Sequence, residues 1–200
     1  MRKVITTSVI GSMLVTACAV APALPPEQRP NDWAKPVGSE VLRQGLPNLY
    51  QVSPVLYRSA QPEVEGLLLL NQQSARAYGL PVEIKTVLSL RNNAGDAALV
   101  KPSGVRYEQI RFNTWDVRDE DVVQFLKIVR NSANQPILLH CKHGSDRTGM
   151  MVAIYRVVEQ GWSKEDAIAE MTQGGFGYHP IWSNLIRYIQ KLDVAALKKI

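Results

Sequence analysis

One cysteine and one arginine, six positions apart, form the clearest chemical pattern in the chain. Residues 140–149 read HCKHGSDRTG, in which Cys141 precedes Gly144, Arg147 and Thr148. A glycine allows a short loop to bend tightly, and an arginine offers a planar pair of N–H donors that matches a phosphate group. Nearby cations and helix N-termini favour the thiolate form of a cysteine. We therefore predict that Cys141 is a nucleophile that attacks the phosphorus of a bound phosphate ester.

The residues around this segment predict that it connects a strand to a helix. Residues 136–139, PILL, form an apolar run typical of a short buried strand, and residues 150–159 read as a helix. In such a turn, consecutive backbone N–H groups point inward and the following helix adds its positive end, which suits an oxyanion. We expect the phosphate to be bound by the loop residues Lys142, His143, Gly144, Ser145, Asp146 and Arg147.

The cysteine has four other interpretations. By default a cysteine after an apolar strand is a small buried hydrophobic residue. A protein that binds phosphate without hydrolysing it, because it lacks a catalytic acid, would have the same loop. A rhodanese-like sulfurtransferase also places a cysteine before a helix, usually in a shorter loop that lacks Arg-Thr-Gly. Zinc is a further alternative, with the candidate ligands His140, Cys141, His143 and His179. Because zinc would leave Arg147 without a role, we expect neither a metal nor another cofactor.

The spacing Cys-x-x-Gly-x-x-Arg-Thr-Gly resembles the signature of cysteine-dependent protein tyrosine and dual-specificity-like phosphatases. Four other stretches resemble the exported bacterial branch of that family, namely LYRSAQP at 56–62, IKTVLSLR at 84–91, QGW at 160–162 and GGFG at 174–177. The resemblance extends from about residue 48 to about residue 192. It implies an α/β fold with a central, mostly parallel sheet flanked by helices.

The resemblance also implies a reaction. Phosphate monoesters would be hydrolysed through a phosphocysteine intermediate, with phosphotyrosine in proteins favoured and phosphoserine or phosphothreonine as further substrates. Within that reaction Arg147 would hold two phosphate oxygens, and Thr148 would donate a hydrogen bond to the sulfur of Cys141. In related enzymes that act on inositol lipids, extra cations in the loop bind neighbouring phosphates. Lys142 and His143 therefore keep an inositol phosphate substrate open as an alternative.

A general acid is needed to protonate the leaving oxygen. Phosphatases of this kind supply an aspartate from a separate loop, and the matching region here is residues 112–121. Asp116, beside Trp115, is the first candidate. Asp119 is the second, although it also reads as the N-cap of the following helix.

Two other polar residues lie close to the motifs. His140 is interpreted as structural, with its ring bonded to the loop backbone. Arg58 is either a second contact to the anion or a member of a structural ion pair.

The first residues of the chain resemble a lipoprotein signal peptide. Arg2 and Lys3 precede a mildly apolar stretch at 4–15, and VTAC at 15–18 resembles a bacterial lipobox. This pattern predicts a signal peptide at 1–17 and a lipid on Cys18, with ordinary signal-peptidase cleavage as the alternative. The residue after Cys18 is an alanine rather than an aspartate, which favours the outer membrane and a periplasm-facing protein.

The remaining chain divides into two parts. Residues 18–47 contain six prolines and predict an extended tether, and residues 48–200 are expected to form the phosphatase domain. With Cys18 lipidated, Cys141 would have no disulfide partner.

Composition limits the partners of the chain. The formal net charge is +5, and removal of residues 1–17 leaves 21 basic and 18 acidic residues, or +3. We find no stripe of alternating basic and aromatic residues, so we expect no nucleic-acid binding. The expected partners are a phosphoprotein substrate and, through the lipid, a membrane.

Hydrophobic periodicity predicts the elements that position the loop. Strands are expected at 48–52, 55–59, 85–90, 106–112 and 136–140, and helices at 63–78, 119–130, 150–159, 163–171 and 181–192.

Overall fold

The protein is described by a computed structural model that covers residues 21–70, 73–93 and 95–200, without the side chains of 73 and 74. The strands are β1 (Lys35–Pro36), β2 (Tyr50–Ser53), β3 (Leu56–Ser59), β4 (Thr86–Ser89), β5 (Arg106–Gln109) and β6 (Ile137–His140). The helices are α1 (Glu40–Gly45), α2 (Val64–Leu69), α3 (Gln73–Ala77), α4 (Asp96–Val100), α5 (Asp119–Arg130), α6 (Asp146–Glu159), α7 (Lys164–Gln173), α8 (Ser183–Lys191) and α9 (Val194–Leu197). Short 3₁₀ helices lie at Pro26–Gln28, Lys101–Ser103, Ser132–Asn134 and Pro180–Trp182.

Six strands form one sheet in the order β1-β2-β3-β6-β4-β5. The pairs β3–β6, β6–β4 and β4–β5 are parallel, whereas β1 and β2 add two antiparallel pairings at one edge. The prediction of an α/β fold with a central, mostly parallel sheet is therefore confirmed. The strand before Cys141, β6, lies between β3 and β4 in the middle of the sheet.

Alternate residues of the central strands face two different hydrophobic clusters. Leu56, Leu88 and Leu139 belong to a cluster with the side chains of α5 to α8, whereas Tyr57 and Leu138 face a cluster formed with α1 and α2. Strands covered on both faces carry continuous apolar runs, which explains why residues 136–139 lack alternation. The apolar run that predicted the strand is thus the consequence of helices on both sides of the sheet.

The helix that follows the loop is buried on nearly all sides. α6 buries twelve of its fourteen residues and contacts α5, α7 and α8. It begins at Asp146, four residues earlier than predicted, so that the end of the cysteine motif forms the first turn of the helix. Burial of this helix fixes the position of its N-terminus. An anion bound in the loop would therefore lie next to the positive end of α6.

The segment before residue 48 requires a correction. Residues 18–47 were predicted to be a tether, but Lys35 and Pro36 pair with β2 and Leu42 and Leu46 are fully buried. Proline is tolerated in an edge strand because one side of that strand donates no hydrogen bonds to the sheet. The count of prolines therefore did not distinguish a tether from an edge strand, and the packed part of the domain begins before residue 48.

A close contact between two helices explains how this segment is held. α1 crosses α2 at Gly45 and Gly66, where a Cβ atom on Gly66 would lie 2.1 Å from the carbonyl oxygen of Gly45. Leu24 also donates its backbone N–H to the Gln173 carbonyl, at 2.8 Å. The chain therefore contacts the domain from Leu24 onward.

Other predictions differ in detail. The single helix expected at 63–78 is replaced by α2, which ends at Leu69, and α3, which begins at Gln73. The helix α4 and the final helix α9 were not predicted. The strand expected to reach Phe112 ends at Gln109, whereas α5 has the predicted bounds. Ser163 caps α7, because its hydroxyl accepts the N–H of Asp166 at 3.0 Å.

The predicted signal peptide, residues 1–17, and Cys18 lie outside the described residues. In the part of the chain that is described, no helix combines the length and the apolar character needed to cross a bilayer.

A buried ion pair connects four parts of the fold. Arg156 of α6 donates from Nε and Nη2 to both carboxylate oxygens of Glu170 in α7, at 2.8 and 2.7 Å. The same arginine donates to the Val52 carbonyl in β2, and Glu170 accepts the backbone N–H of Ala34. The pair therefore holds the sheet edge and the N-terminal segment against α6 and α7.

We predict that Glu170→Gln lowers the free energy of unfolding by about 3 kcal/mol or more, because removal of one partner leaves a buried charge uncompensated. The side chains of this pair are 3% and 1% exposed. The matched control is Glu159→Gln in the pair Arg130–Glu159, where both side chains are 25% exposed; this change should cost below about 1 kcal/mol. Urea denaturation measures both. Equal losses in the two variants would contradict the prediction.

Candidate active site

The cysteine loop begins where three parallel strands end at the same level. Ser59 of β3 and Ser89 of β4 are both in register with His140, the last residue of β6. Ligands of parallel sheets bind beyond the carboxyl ends of the strands. Residues 141–145 continue from β6 at this edge, and α6 begins immediately after them.

Three consecutive carbonyl groups of the loop are held by donors from outside it. The Lys142 carbonyl accepts the Gln61 N–H at 3.1 Å. The His143 carbonyl accepts from Asn48 Nδ2 at 3.0 Å, and the Gly144 carbonyl accepts from Arg58 Nη2 at 2.6 Å. These donors come from β3 and the segments on either side of the first hairpin, which fixes the orientation of each peptide plane in the loop.

The N–H groups of the same peptides are free. Within the described residues, none of the six backbone N–H groups from Lys142 to Arg147 donates to a protein acceptor, and helical bonding begins with Gly149 N–H to Ser145 C=O. Free N–H groups at the start of a helix bind anions. The loop therefore presents a set of donors for the oxygens of a phosphate, as the sequence predicted.

Gly144 is required by both backbone conformation and space. Its φ is +70°, a region that residues with a Cβ rarely adopt. A Cβ atom there would lie 2.6 Å from the carbonyl carbon and oxygen of Ser59. The glycine of the motif therefore lets the loop approach the end of β3 closely enough to accept the bond from Arg58.

The guanidinium of Arg147 is anchored by one nitrogen. Nη1 donates to the carbonyl groups of Leu90 and Phe112, at 3.1 and 3.3 Å, just beyond β4 and β5. Nε and Nη2 have no acceptor among the residues described. This edge of the guanidinium can bind two oxygens of a phosphate in the bidentate manner expected of arginine.

Cys141 lies almost completely buried at the start of the loop, with 3% of its surface exposed. The predicted hydrogen bond from Thr148 to its sulfur is not formed in this structure. The Thr148 hydroxyl is buried and has no partner within the described part of the chain. A buried hydroxyl without a partner is costly, so Thr148 is available to donate to a sulfur that becomes negatively charged.

His140 has the structural role expected of it. Its Nδ1 lies 3.2 Å from the Cys141 carbonyl oxygen, and the ring is fully buried. Burial lowers the pKa of His140 to about 4, because desolvation disfavours the charged imidazolium. The ring is therefore neutral near pH 7 and supports the loop backbone without adding charge to the site.

The side chains of Ser145 and Asp146 are buried and bonded to residues 176–179, so their backbone N–H groups are what they can offer to a phosphate. Ser145 donates from its hydroxyl to the Phe176 carbonyl at 2.8 Å. The Asp146 carboxylate accepts from the backbone N–H and the Nδ1 of His179, both at 2.9 Å. Lys142 and His143 are exposed at the rim, where the rings of His143 and His179 lie 5.8 Å apart.

The two acid candidates have different surroundings. Asp116 is exposed in a turn closed by its own N–H to the Asn113 carbonyl, and its carboxylate accepts no hydrogen bond from the described residues. Asp119 accepts the hydroxyl hydrogen of Tyr188. Burial, and then this hydrogen bond, raise the pKa of Tyr188 above its usual range. The N-cap of α5 is Arg118, so the cap predicted at Asp119 is wrong.

The loop that carries Asp116 is tied to the C-terminal helices. Asn184 of α8 donates from Nδ2 to the Thr114 carbonyl at 2.6 Å. Trp115 is 70% exposed, and its ring lies 6.4 Å from that of Trp182. These contacts fix the base of the loop and leave the carboxylate of Asp116 accessible.

Sequence reasoning did not assign two residues that shape the loop. Asn48 has a φ of +57° and donates from Nδ2 to both His143 and Phe176 carbonyls, each at 3.0 Å. The structural ion pair that was one alternative for Arg58 is not formed with any described carboxylate; its Nη2 donates to the Gly144 carbonyl instead. The motif that includes Arg58 and Gln61 was recognised, but its role as a support for the loop depends on contacts distant in sequence.

The zinc alternative is not supported by the arrangement of its candidate ligands. Among the residues the structure describes, no group of three or more His, Cys, Asp or Glu side chains is positioned to hold a metal ion. His140 is fully buried, whereas His143 and His179 are exposed at the rim.

Comparison with known proteins identifies clear relatives. Residues 48–181 match the family described as DSP-PTPase phosphatase fused to NAD+ kinase. The chain is 33% identical over 190 residues to dual specificity protein phosphatase TpbA of Pseudomonas aeruginosa (strain UCBPP-PA14). The aligned region covers 94% of this chain and 77% of the relative.

Solved structures of phosphatases are also similar to this fold. A cysteine-to-serine variant of P. aeruginosa TpbA in complex with phosphotyrosine superposes with a TM-score of 0.69 at 35% identity, over 86% of this chain and 96% of that one. The catalytic core of the PP-IP phosphatase SIW14 from Saccharomyces cerevisiae has a TM-score of 0.62 at 25% identity, over 76% and 89% of the two chains.

We predict that Asn48→Asp lowers kcat/KM for p-nitrophenyl phosphate about tenfold or more. Aspartate tolerates the same backbone conformation, but its carboxylate cannot donate and would face two carbonyl oxygens. A lost hydrogen bond costs about 1 kcal/mol, and repulsion adds to this. Asn48→Gly, which removes the donor without adding an acceptor, should fall between wild type and Asn48→Asp. Full activity in the aspartate variant would show that the amide does not support the loop.

Proposed function

The chain belongs to the cysteine-dependent, dual-specificity type of protein phosphatases, and on this premise we propose that it hydrolyses phosphotyrosine in proteins through a phosphocysteine intermediate. The observation that carries the proposal is the combination of free loop N–H groups, a free edge of the Arg147 guanidinium and a single cysteine at the base of the loop. These groups supply hydrogen-bond donors for three phosphate oxygens and one nucleophile for the phosphorus. A sulfurtransferase would not need the arginine, and the membership of this enzyme family removes the reason to consider a binding module.

The first step transfers the phosphoryl group to sulfur. The Cys141 thiolate attacks the phosphorus, an S–P bond forms and the bond to the tyrosine oxygen breaks. The loop N–H groups and Arg147 stabilise the negative charge on the three remaining oxygens, because phosphoryl transfer depends mainly on positioning and electrostatics. Asp116 donates its proton to the leaving phenolate oxygen.

The second step regenerates the thiolate. Asp116, now a carboxylate, accepts a proton from a water molecule that attacks the phosphorus. The S–P bond breaks, and inorganic phosphate and the thiolate are released. The buried Thr148 hydroxyl, which has no other partner among the described residues, donates to the departing sulfur and stabilises its charge.

Phosphotyrosine is favoured over inositol phosphates for two reasons. Two relatives that match 94% and 83% of this chain carry the name dual specificity protein phosphatase TpbA, and a variant of TpbA was solved with phosphotyrosine. In addition, the Asp146 carboxylate, which is bonded to His179, adds negative charge to the loop and offsets part of the positive charge of Lys142 that a second phosphate would use.

We predict that the purified protein hydrolyses a phosphotyrosine peptide and that Asp116→Asn lowers kcat on this substrate about 100-fold or more, within the range of general acid catalysis. The loss should be smaller on p-nitrophenyl phosphate, because nitrophenolate leaves without a proton. The matched control is Asp119→Asn, for which we expect little change. Initial rates of phosphate release give each value.

Two results would contradict these assignments. If wild type releases no more phosphate from the peptide than Cys141→Ser, the proposed activity is wrong. If Asp119→Asn loses the activity and Asp116→Asn does not, the acid is Asp119. Faster turnover of an inositol pyrophosphate than of the peptide would support the alternative substrate.

The location of the protein is a separate part of the proposal. We propose that the chain is exported, that it is lipidated on Cys18 and that it faces the periplasm from the outer membrane. The support is the lipobox-like sequence VTAC at 15–18 and the alanine that follows it. A lipid at Cys18 would place the folded domain, which begins its contacts at Leu24, close to the membrane surface.

We predict that a Gram-negative host labels the wild-type chain with radioactive palmitate and that Cys18→Ala abolishes the label. The wild type should sediment with outer membranes, whereas the variant should lose this association or retain its uncleaved signal. Cys141→Ser, which leaves the lipobox intact, is the control and should be labelled like wild type. Equal labelling of Cys18→Ala would exclude this lipidation site.

A further inference from the structure

A fully buried arginine lies directly below the active-site loop. Arg58 of β3 has no exposed surface, and its Nε and Nη1 have no partner among the described residues. Arg58 forms no ion pair with any carboxylate that the structure describes. Buried charges are normally paired, because an unpaired charge in the interior is costly. The mechanism described above does not use this residue, so its retention in the core requires another explanation.

The contacts of Arg58 place its charge under the phosphate site. Nη2 donates to the Gly144 carbonyl at 2.6 Å, and Cζ lies 3.8 Å from the centre of the Phe176 ring. A Cβ atom on Gly149 would lie 3.8 Å from Nη2. The guanidinium is therefore enclosed by the loop, the first turns of α6 and a buried aromatic ring, with no access to solvent.

The carboxylate with the strongest electrostatic effect on Arg58 is already paired with another arginine. Glu170 is held by Nε and Nη2 of Arg156 in a bidentate pair. Two buried arginines thus share one buried carboxylate, and one positive charge remains. Burial lowers the pKa of Arg58 to about 10, while Glu170 and then Cys141 act in the opposite direction. At neutral pH Arg58 is therefore a cation, and an ionised sulfur at Cys141 would balance it.

We propose that Arg58 is a positioning residue that acts as the buried counter-charge of the Cys141 thiolate. Its positive charge, sealed beneath the loop, stabilises the ionised sulfur without contacting the phosphate. Its one donated hydrogen bond holds the Gly144 carbonyl away from the phosphate site. This inference rests on the proposed role of Cys141 as the nucleophile.

Other charged groups lie on the loop and on the elements packed around it, and they must be held constant in a test. They lie on the loop and α6 (Lys142, His143, Asp146 and Arg147), on the acid loop (Asp116), on β6 (His140, which is neutral near pH 7), after β4 (the pair Arg91–Asp96) and on α7 (Glu170). Arg58 differs from the cations among them because it is sealed from solvent, where a charge acts over a lower effective dielectric constant.

The test separates the charge of Arg58 from its hydrogen bond. Arg58→Gln retains an N–H donor but removes the charge, and Arg58→Lys retains the charge. The rate of alkylation of Cys141 by iodoacetamide is measured over a pH series, with the Cys141 peptide quantified by mass spectrometry so that Cys18 does not contribute. We expect the Arg58→Gln profile to move upward by about one pH unit and the Arg58→Lys profile to stay close to wild type.

Controls keep the result decisive. Arg156→Lys, which keeps the positive charge of the other buried arginine, should leave the alkylation profile unchanged. An Arg58→Gln profile that coincides with wild type, or an Arg58→Lys profile that moves as far as Arg58→Gln, would overturn the proposal. If circular dichroism shows that Arg58→Gln does not fold, Arg58→Lys alone decides: an unchanged profile supports the proposal and an upward shift rejects it. Alkylation needs no substrate, so this outcome is independent of whether phosphotyrosine is hydrolysed.

Discussion

The outward anchoring of three loop carbonyls is the constraint on which the site depends. Each peptide plane has two polar ends, so a donor that holds the C=O on one side turns the N–H to the other. Asn48, Arg58 and the Gln61 backbone provide these donors for residues 142–144. The anion-binding geometry is therefore not a property of the ten-residue motif alone. It is imposed by β3 and its neighbouring segments, which explains why the LYRSAQP stretch accompanies the cysteine motif.

The same arrangement concentrates positive charge in one place. The N-terminus of the buried α6, the guanidinium of Arg147 and the sealed guanidinium of Arg58 all surround the loop, whereas the buried carboxylate with the strongest electrostatic effect on Arg58 is paired elsewhere. Such a concentration is unfavourable for the empty protein and favourable once an anion is bound. Functional sites commonly retain local costs of this kind, which the rest of the fold must offset. Here the large buried core around α6 provides that compensation.

Sequence reasoning predicted the features that depend on local pattern. The apolar run before Cys141, the spacing of the motif and the helical periodicity of 119–130 gave the central strand, the loop and α5. It was wrong where contacts between distant segments decide. The prolines before residue 48 indicated a tether, although Pro36 lies in an edge strand and Leu42 in the core. The orientation of Asp146 and the support by Asn48 depend on residues 176–179, and no local pattern reports such contacts.

A loop with six unused N–H donors is an unfinished hydrogen-bond network, and any tetrahedral oxyanion completes it. Free inorganic phosphate keeps the three non-bridging oxygens of the ester it came from, so the product is also a ligand of the resting enzyme. Whatever binds the folded state but not the unfolded chain adds to its stability in proportion to the logarithm of ligand concentration. A high phosphate concentration therefore raises the free energy of unfolding of the enzyme. Because phosphate occupies the active site, it also lowers the rate of turnover.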